Sequence, residues 1–198
     1  DGELAGSDLI TNVLQRDIEK IRMAIDQTEG AEFERVVDTI IGAKKIYIVG
    51  FRSSSFLAGY LNFYFRLIFD NVTLVNGGAA GSFDQLFRVS KDDVVIGICF
   101  PRYSELALKT IQFARDRGAT IVGVTDSEMS PINQMSSNSL LVRSEMISFV
   151  DSLAAPMSML NALILAVASK KGADISSTFA ELDHVWERFG IFGKVEDE

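Results

Sequence analysis

Five short runs of apolar, largely β-branched residues recur along the chain: KIYIVG at 45–50, VTLV at 72–75, DVVIGIC at 93–99, TIVGVT at 120–125 and SLLVR at 139–143. None of them alternates apolar with polar residues, and that restricts the fold more than any other feature. A strand with one wet face reads as alternation, because successive side chains point to opposite faces. Continuous apolarity means that both faces are covered. Helical stretches separate the runs: 54–69, a short one near 82–89, 103–117 closed by Gly118, and a turn near 130–135. Strands alternating with helices predict an α/β fold, a three-layer α-β-α sandwich around a five-stranded, doubly wound parallel sheet. Extra helices flank it at both ends. LITNVLQRDIEKIRMAI carries Leu14, Ile18, Ile21 and Ile25 on one face, and FERVVDTIIGAKK follows. A long helix from about 148 to 170 and a last one carrying FAELDHVWERF close the chain.

At 198 residues, 47% hydrophobic and 23% charged, the chain suits one folding unit with a full core. Its net charge of −8 repels nucleic acid, and no cluster of Lys and Arg offsets it; AKK and SKK are too short. The single cysteine, Cys99, excludes an internal disulfide and fits a reducing compartment. The longest apolar run, near 157–168, is too short to cross a bilayer, so a buried helix and no membrane partner are expected. The acidic start DGELAGSD lacks the pattern of a signal peptide, and because it begins without methionine a segment upstream is expected. The helix at 56–69 is apolar almost all round, from Phe56 and Leu57 to Ile68 and Phe69. One side suits the sheet and the other a second partner, which points to a homodimer or tetramer.

In doubly wound sheets ligands sit beyond the carboxyl ends of the strands, and several turns bring polar groups there. After the first strand, Gly50 permits a sharp turn into Arg52, Ser53, Ser54 and Ser55 at a helix start. Free amides, hydroxyls and a guanidinium together are the chemistry of an anion site, most often for phosphate. Capping by Ser54 or Ser55 explains one serine, not three with an arginine. After the third strand, CFPRYSELALKT leaves Arg102 and Tyr103 in a loop, with Ser104 as N-cap and Glu105 in the first helical turn. TDSEMSPI reads as structural, with Pro131 at the first helical position after Ser130. Glu145, just past the last strand, is a further candidate for holding a hydroxyl. His184, the only histidine, reads as a solvated helix residue, and no His/Cys pair has metal-ligand spacing. Neither a metal nor a cofactor is expected, and no catalytic residue is assigned.

The turns GFRSSSFLA and ICFPRYSE, followed by GATIVGVTDSEMSP and SFVDSLAAPMSMLNALI, resemble the sugar isomerase (SIS) domain. They resemble more closely the effector domain of RpiR/MurR-type bacterial transcriptional regulators. The resemblance runs from DIEKIRMAI to the C-terminus. It implies a flavodoxin-like five-stranded sheet, dimerisation, and a phosphosugar effector held by the two serine loops. Gly50, Ser53 and Ser54 match the family's Gly-x-Gly-Ser-Ser, and Ser104 replaces the threonine of Ser-x-Ser-Gly-x-Thr. Arg52 and Arg102 stand where the pattern has glycine, and Cys99 and Pro101 where it has serine. Two hydroxyls are lost, and two guanidiniums take their place as bidentate anion donors. The resemblance also implies that VLQRDIEKIRMAI follows a helix-turn-helix domain absent from this chain. Residues 1–43 are then the helical segment on that side, and 44–198 the SIS domain with its C-terminal helices. The implied function is the ligand-sensing, dimerising part of a cytoplasmic, non-enzymatic regulator of sugar metabolism. It would bind a phosphosugar or related acidic carbohydrate derivative and touch DNA only through the absent domain. The alternative is a sugar-phosphate aldose–ketose isomerase, with Glu145 as base and His184 assisting.

Overall fold

A computed structural model describes residues 6–144, 146–147 and 149–192. Two helices, α1 (Gly6–Gln27) and α2 (Gly30–Ile41), lead into β1 (Ile46–Val49), α3 (Ser54–Ile68), β2 (Val72–Val75) and α4 (Gly78–Leu86). β3 (Val94–Ile98), α5 (Glu105–Asp116), β4 (Thr120–Thr125), α6 (Pro131–Met135) and β5 (Asn138–Leu141) follow. A small hairpin, β6 (Met146–Ile147) and β7 (Val150–Asp151), precedes α7 (Ala154–Lys171) and α8 (Ala173–Phe189). The large sheet runs β2-β1-β3-β4-β5, and every neighbouring pair is parallel.

The central strands β1, β3 and β4 are dry on both faces, as continuous apolar strands require, while the edge strands β2 and β5 are half-buried. Ile46, Ile48, Ile96, Ile98, Val122 and Val124 face one core, closed by α2, α3 and α7. Tyr47, Val49, Val95 and Ile121 face the other, closed by Leu86 of α4, Ile111 of α5 and Ile132 of α6. Cutting a fully buried isoleucine such as Ile48 or Ile96 to alanine costs about 2–5 kcal/mol in a core of this kind.

The five strands lie within two residues of their expected bounds, and two helices differ. α4 begins at Gly78 rather than near 82. The glycines of NGGAAG mask it, while the Gln85 side chain holds the turn by accepting from the Asn76 and Gly77 amides at 3.0 and 3.1 Å. The long helix expected from 148 starts only at Ala154, because β6 and β7 pair through Met146–Asp151 and Ile147–Val150. On α1, Ile21 packs on the core, whereas Leu14, Ile18 and Ile25 are 57%, 47% and 72% exposed. The stripe expected on one face is therefore mostly outside. Among the described residues no helix is long and apolar enough to cross a membrane.

Candidate functional site

The order 2-1-3-4-5 reverses direction between β1 and β3, so the turns leaving these two strands diverge and open a crevice at their carboxyl ends. Both turns carry the residues singled out from the sequence. Arg52, Ser53 and Ser54 from the first, and Arg102, Tyr103 and Ser104 from the second, line one cleft of about 430 Å3.

In the first turn Gly50 is sterically compelled. A Cβ there would lie 2.7 Å from the Ser54 carbonyl oxygen and 2.9 Å from the Ala58 Cβ, so any side chain would push α3 off the sheet. Two residues on, Arg52 has φ +57°, in the left-handed region that glycine enters without strain. The turn thus keeps the backbone of a glycine pattern while presenting a guanidinium. The Arg52 carbonyl accepts from the Ser55 amide at 3.0 Å and the Ser55 hydroxyl at 2.6 Å. The Phe56 amide reaches the Ser53 carbonyl at 3.2 Å. The Ser53 and Ser54 amides, one step earlier, have no backbone acceptor among the described residues. No serine hydroxyl of this turn caps α3. The helix start is left open at the cleft, where its dipole favours an anion.

The second turn is built differently. Ser104 caps α5, its hydroxyl accepting from the Ala107 amide at 3.4 Å. The Tyr103 hydroxyl donates to Asp126 Oδ1 at 2.7 Å, and Thr125 donates to the same oxygen at 3.2 Å. Burial, then the bond to Asp126 and its charge, push the Tyr103 phenol well above its ordinary value. Tyr103 is therefore a pinned wall of the cleft. Burial likewise pushes the Cys99 thiol up, against the Ser104 amide that donates to the sulfur. Ser130 caps α6 by accepting from the Asn133 amide at 3.1 Å, the structural role read for that turn.

Both arginines are exposed at the cleft, and neither guanidinium has an ion-pair or hydrogen-bond partner among the described residues. Two unpaired guanidiniums thus stand beside the open start of α3, an arrangement whose chemistry suits an anion. Gly50 and Ser55 do not line the cleft; the first supports the turn from behind and the second braces it. Glu145 lies outside the described residues. His184 is exposed on α8 and is not part of the cleft. The sequence reading missed Asp151 at the end of β7, whose Oδ2 accepts from the Ser53 hydroxyl at 2.7 Å. A larger groove of about 590 Å3 along the β5 edge is lined by Glu29, Glu32 and Glu128, and no Lys or Arg lines it among the described residues. No group of three or more His, Cys, Asp or Glu among the described residues is placed to hold a metal.

Residues 39–166, which contain both turns of the cleft, match the SIS domain family. The chain belongs to the SIS domain family. An uncharacterised HTH-type transcriptional regulator of Caldanaerobacter subterraneus subsp. tengcongensis is 25% identical over 186 residues, covering 88% of this chain and 64% of the relative. A second uncharacterised HTH-type regulator, from Clostridium perfringens, is 25% identical over 100 residues, 50% of this chain and 35% of its own length. The chain thus spans less than two thirds of either relative. The SIS domain fold is shared with the sugar isomerase domain of an RpiR transcription factor from Sphaerobacter thermophilus. That likeness has a TM-score of 0.84 at 22% identity, over 89% of this chain and 98% of the other. It is shared also with the Vibrio vulnificus NanR protein complexed with ManNAc-6P, with a TM-score of 0.81 at 14% identity, over 96% of this chain and 72% of NanR.

Proposed function

We propose that this SIS domain is the effector-sensing part of a cytoplasmic HTH-type transcriptional regulator of the RpiR type, and that it binds a phosphosugar in the cleft between the β1 and β3 turns. The observation that carries the reading is the pair of unpartnered guanidiniums, Arg52 and Arg102, on one cleft with the open start of α3. Phosphate suits this cradle because a guanidinium pairs with it bidentately and the helix N-terminus favours negative charge. The regulator context is supported by relatives named HTH-type transcriptional regulators and by NanR, a neighbour in fold complexed with ManNAc-6P. Residues 1–43 are then the side to which a DNA-binding domain attaches, with 44–198 as the SIS domain proper. A second copy of this chain covers the exposed apolar faces of α1 and α3, where Phe56 and Phe63 are 71% and 59% exposed. Because Phe56 follows the serine turn directly, such an interface borders the cleft. Occupancy can then bias one dimer arrangement over another.

Calorimetry of the chain with ManNAc-6P and with A5P, the ligand of another SIS-like structure from E. coli, tests the reading. Binding is expected to one or more phosphosugars of such a panel, and to fall at least about 100-fold in the Arg52→Ala/Arg102→Ala variant, since each charge-assisted pair contributes about 1.5–3 kcal/mol. Undiminished binding in that variant overturns it. An isomerase needs a base placed to move a proton between neighbouring carbons. Turnover of A5P or another sugar phosphate would decide for that alternative.

A further inference from the structure

The cleft that offers two guanidiniums to an anion also contains a carboxylate. Asp151 lines it beside Arg52, Arg102 and Ser53. Its Oδ2 takes the one proton that the Ser53 hydroxyl can donate, at 2.7 Å. No cation pairs with it among the described residues, and its Oδ1 has no partner there. An ionised carboxylate only accepts hydrogen bonds. It therefore repels a bare anion drawn in by the arginines and attracts a group that brings its own O–H or N–H.

We propose that Asp151 is a specificity-determining residue of the cleft, which holds off small inorganic anions and admits anions that also carry donor hydroxyls. The proposal rests on the reading of the cleft as an anion site and adds to it the rule by which anions are told apart. Discrimination by an unfavourable contact with the wrong ligand is a general route to specificity. Inorganic phosphate gains the arginines but must sit beside the carboxylate and compete with it for the Ser53 proton. A phosphosugar gains the same arginines, and its hydroxyls donate to Asp151, turning the repelling group into a charge-assisted acceptor.

The test is the ratio of affinities for ManNAc-6P, or the best binder of the panel, and inorganic phosphate, measured by calorimetry on the whole chain and on Asp151→Asn. The substitution keeps the size of the side chain and its capacity to accept from Ser53, and a melting curve checks that the variant is folded. Phosphate should bind about tenfold tighter to Asp151→Asn, as removing one like charge a few ångströms away from a partly solvated anion predicts. Phosphosugar affinity should stay level or fall, so that the selectivity ratio drops by at least that factor. An unchanged ratio in a variant that still binds phosphosugar overturns the role of Asp151 and leaves the cleft as the binding site. Binding of neither probe by either protein overturns the anion-site reading and, with it, this proposal.

Discussion

Arg52 occupies a backbone conformation that suits glycine, and this gives a prediction in which stability and binding move in opposite directions. Its φ of +57° places Cβ against the following carbonyl, which costs a side-chain-bearing residue about 1–2 kcal/mol. Glycine removes that strain but loses more freedom on folding, which offsets about 0.5–1 kcal/mol. The guanidinium is exposed and unpaired, so its removal deletes no hydrogen bond or ion pair among the described residues. Arg52→Gly should therefore be more stable than the parent by about 0.5–1 kcal/mol, whereas Arg52→Ala, which keeps Cβ, should stay within about 0.5 kcal/mol of it. For a chain of this size a kcal/mol moves the melting temperature by about 2–4 °C, so Arg52→Gly should melt about 1–4 °C above Arg52→Ala. If Arg52 pairs with the phosphate as proposed, both variants lose that pair, and their phosphosugar affinity should fall by roughly 10–100-fold. Melting curves and calorimetry on the same three proteins read both effects. If Arg52→Gly melts at or below Arg52→Ala, the turn stores no strain and the backbone argument is wrong. If both variants bind like the parent, Arg52 is not a ligand arm. The combination expected, a stabler protein that binds less well, is the signature of strain kept for function.

Tyr103 makes a pH-dependent contribution whose sign follows from its raised phenol. The folded chain favours the protonated form, because of burial first and then the bond to Asp126. The stabilisation is thus complete below the ordinary phenol value of 10.0 and is lost as pH rises above it. Urea unfolding at about pH 8 and about pH 11 should show Tyr103→Phe less stable by about 1 kcal/mol at the lower pH and nearly level with the parent at the higher. Equal differences at both would show that the hydroxyl is not coupled to Asp126. For self-association, Ile18→Glu with Ile25→Glu should convert a dimer to a folded monomer in sedimentation, since both side chains are exposed on one face of α1. A parent chain that sediments as a monomer would refute a second copy as the occupant of that face.

The sheet was legible because its signal is local and redundant. The central strands had to be apolar on both faces, so Ile46 to Val49 or Val94 to Ile98 announce themselves without knowledge of their neighbours. The two serine turns were legible for a related reason: a strand end, a helix start and a basic residue between them are contiguous in sequence. Within the first turn, resolution was lost. The three successive serines from Ser53 to Ser55 carry the same chemistry, and only the left-handed backbone at Arg52 decides that Ser53 and Ser54 line the cleft while Ser55 turns back on the Arg52 carbonyl. A dihedral of that kind leaves no mark in composition. It is foreshadowed only by the resemblance, which puts glycine at that position.

Asp151 was hidden for a deeper reason. It meets Ser53 across 98 residues of sequence, from strands two residues long that no periodicity can reveal. Placed before LAAPMSML, an Asp-Ser pair reads as the start of a helix. Ser152 does sit at that start, with its hydroxyl 3.5 Å from the Ala154 amide, while donating to Asp17 of α1. One dipeptide thus ties three parts of the chain: Asp151 holds the turn after β1 through Ser53, and Ser152 holds the N-terminal helix through Asp17. If a ligand draws the Ser53 hydroxyl away from Asp151, the change arises one residue from the contact that fixes α1. A coupling between cleft and α1 then needs no long relay, because the two hydrogen bonds share a peptide unit. Breaking the second bond with Asp17→Ala should leave the cleft intact, which makes it the control that separates transmission from binding.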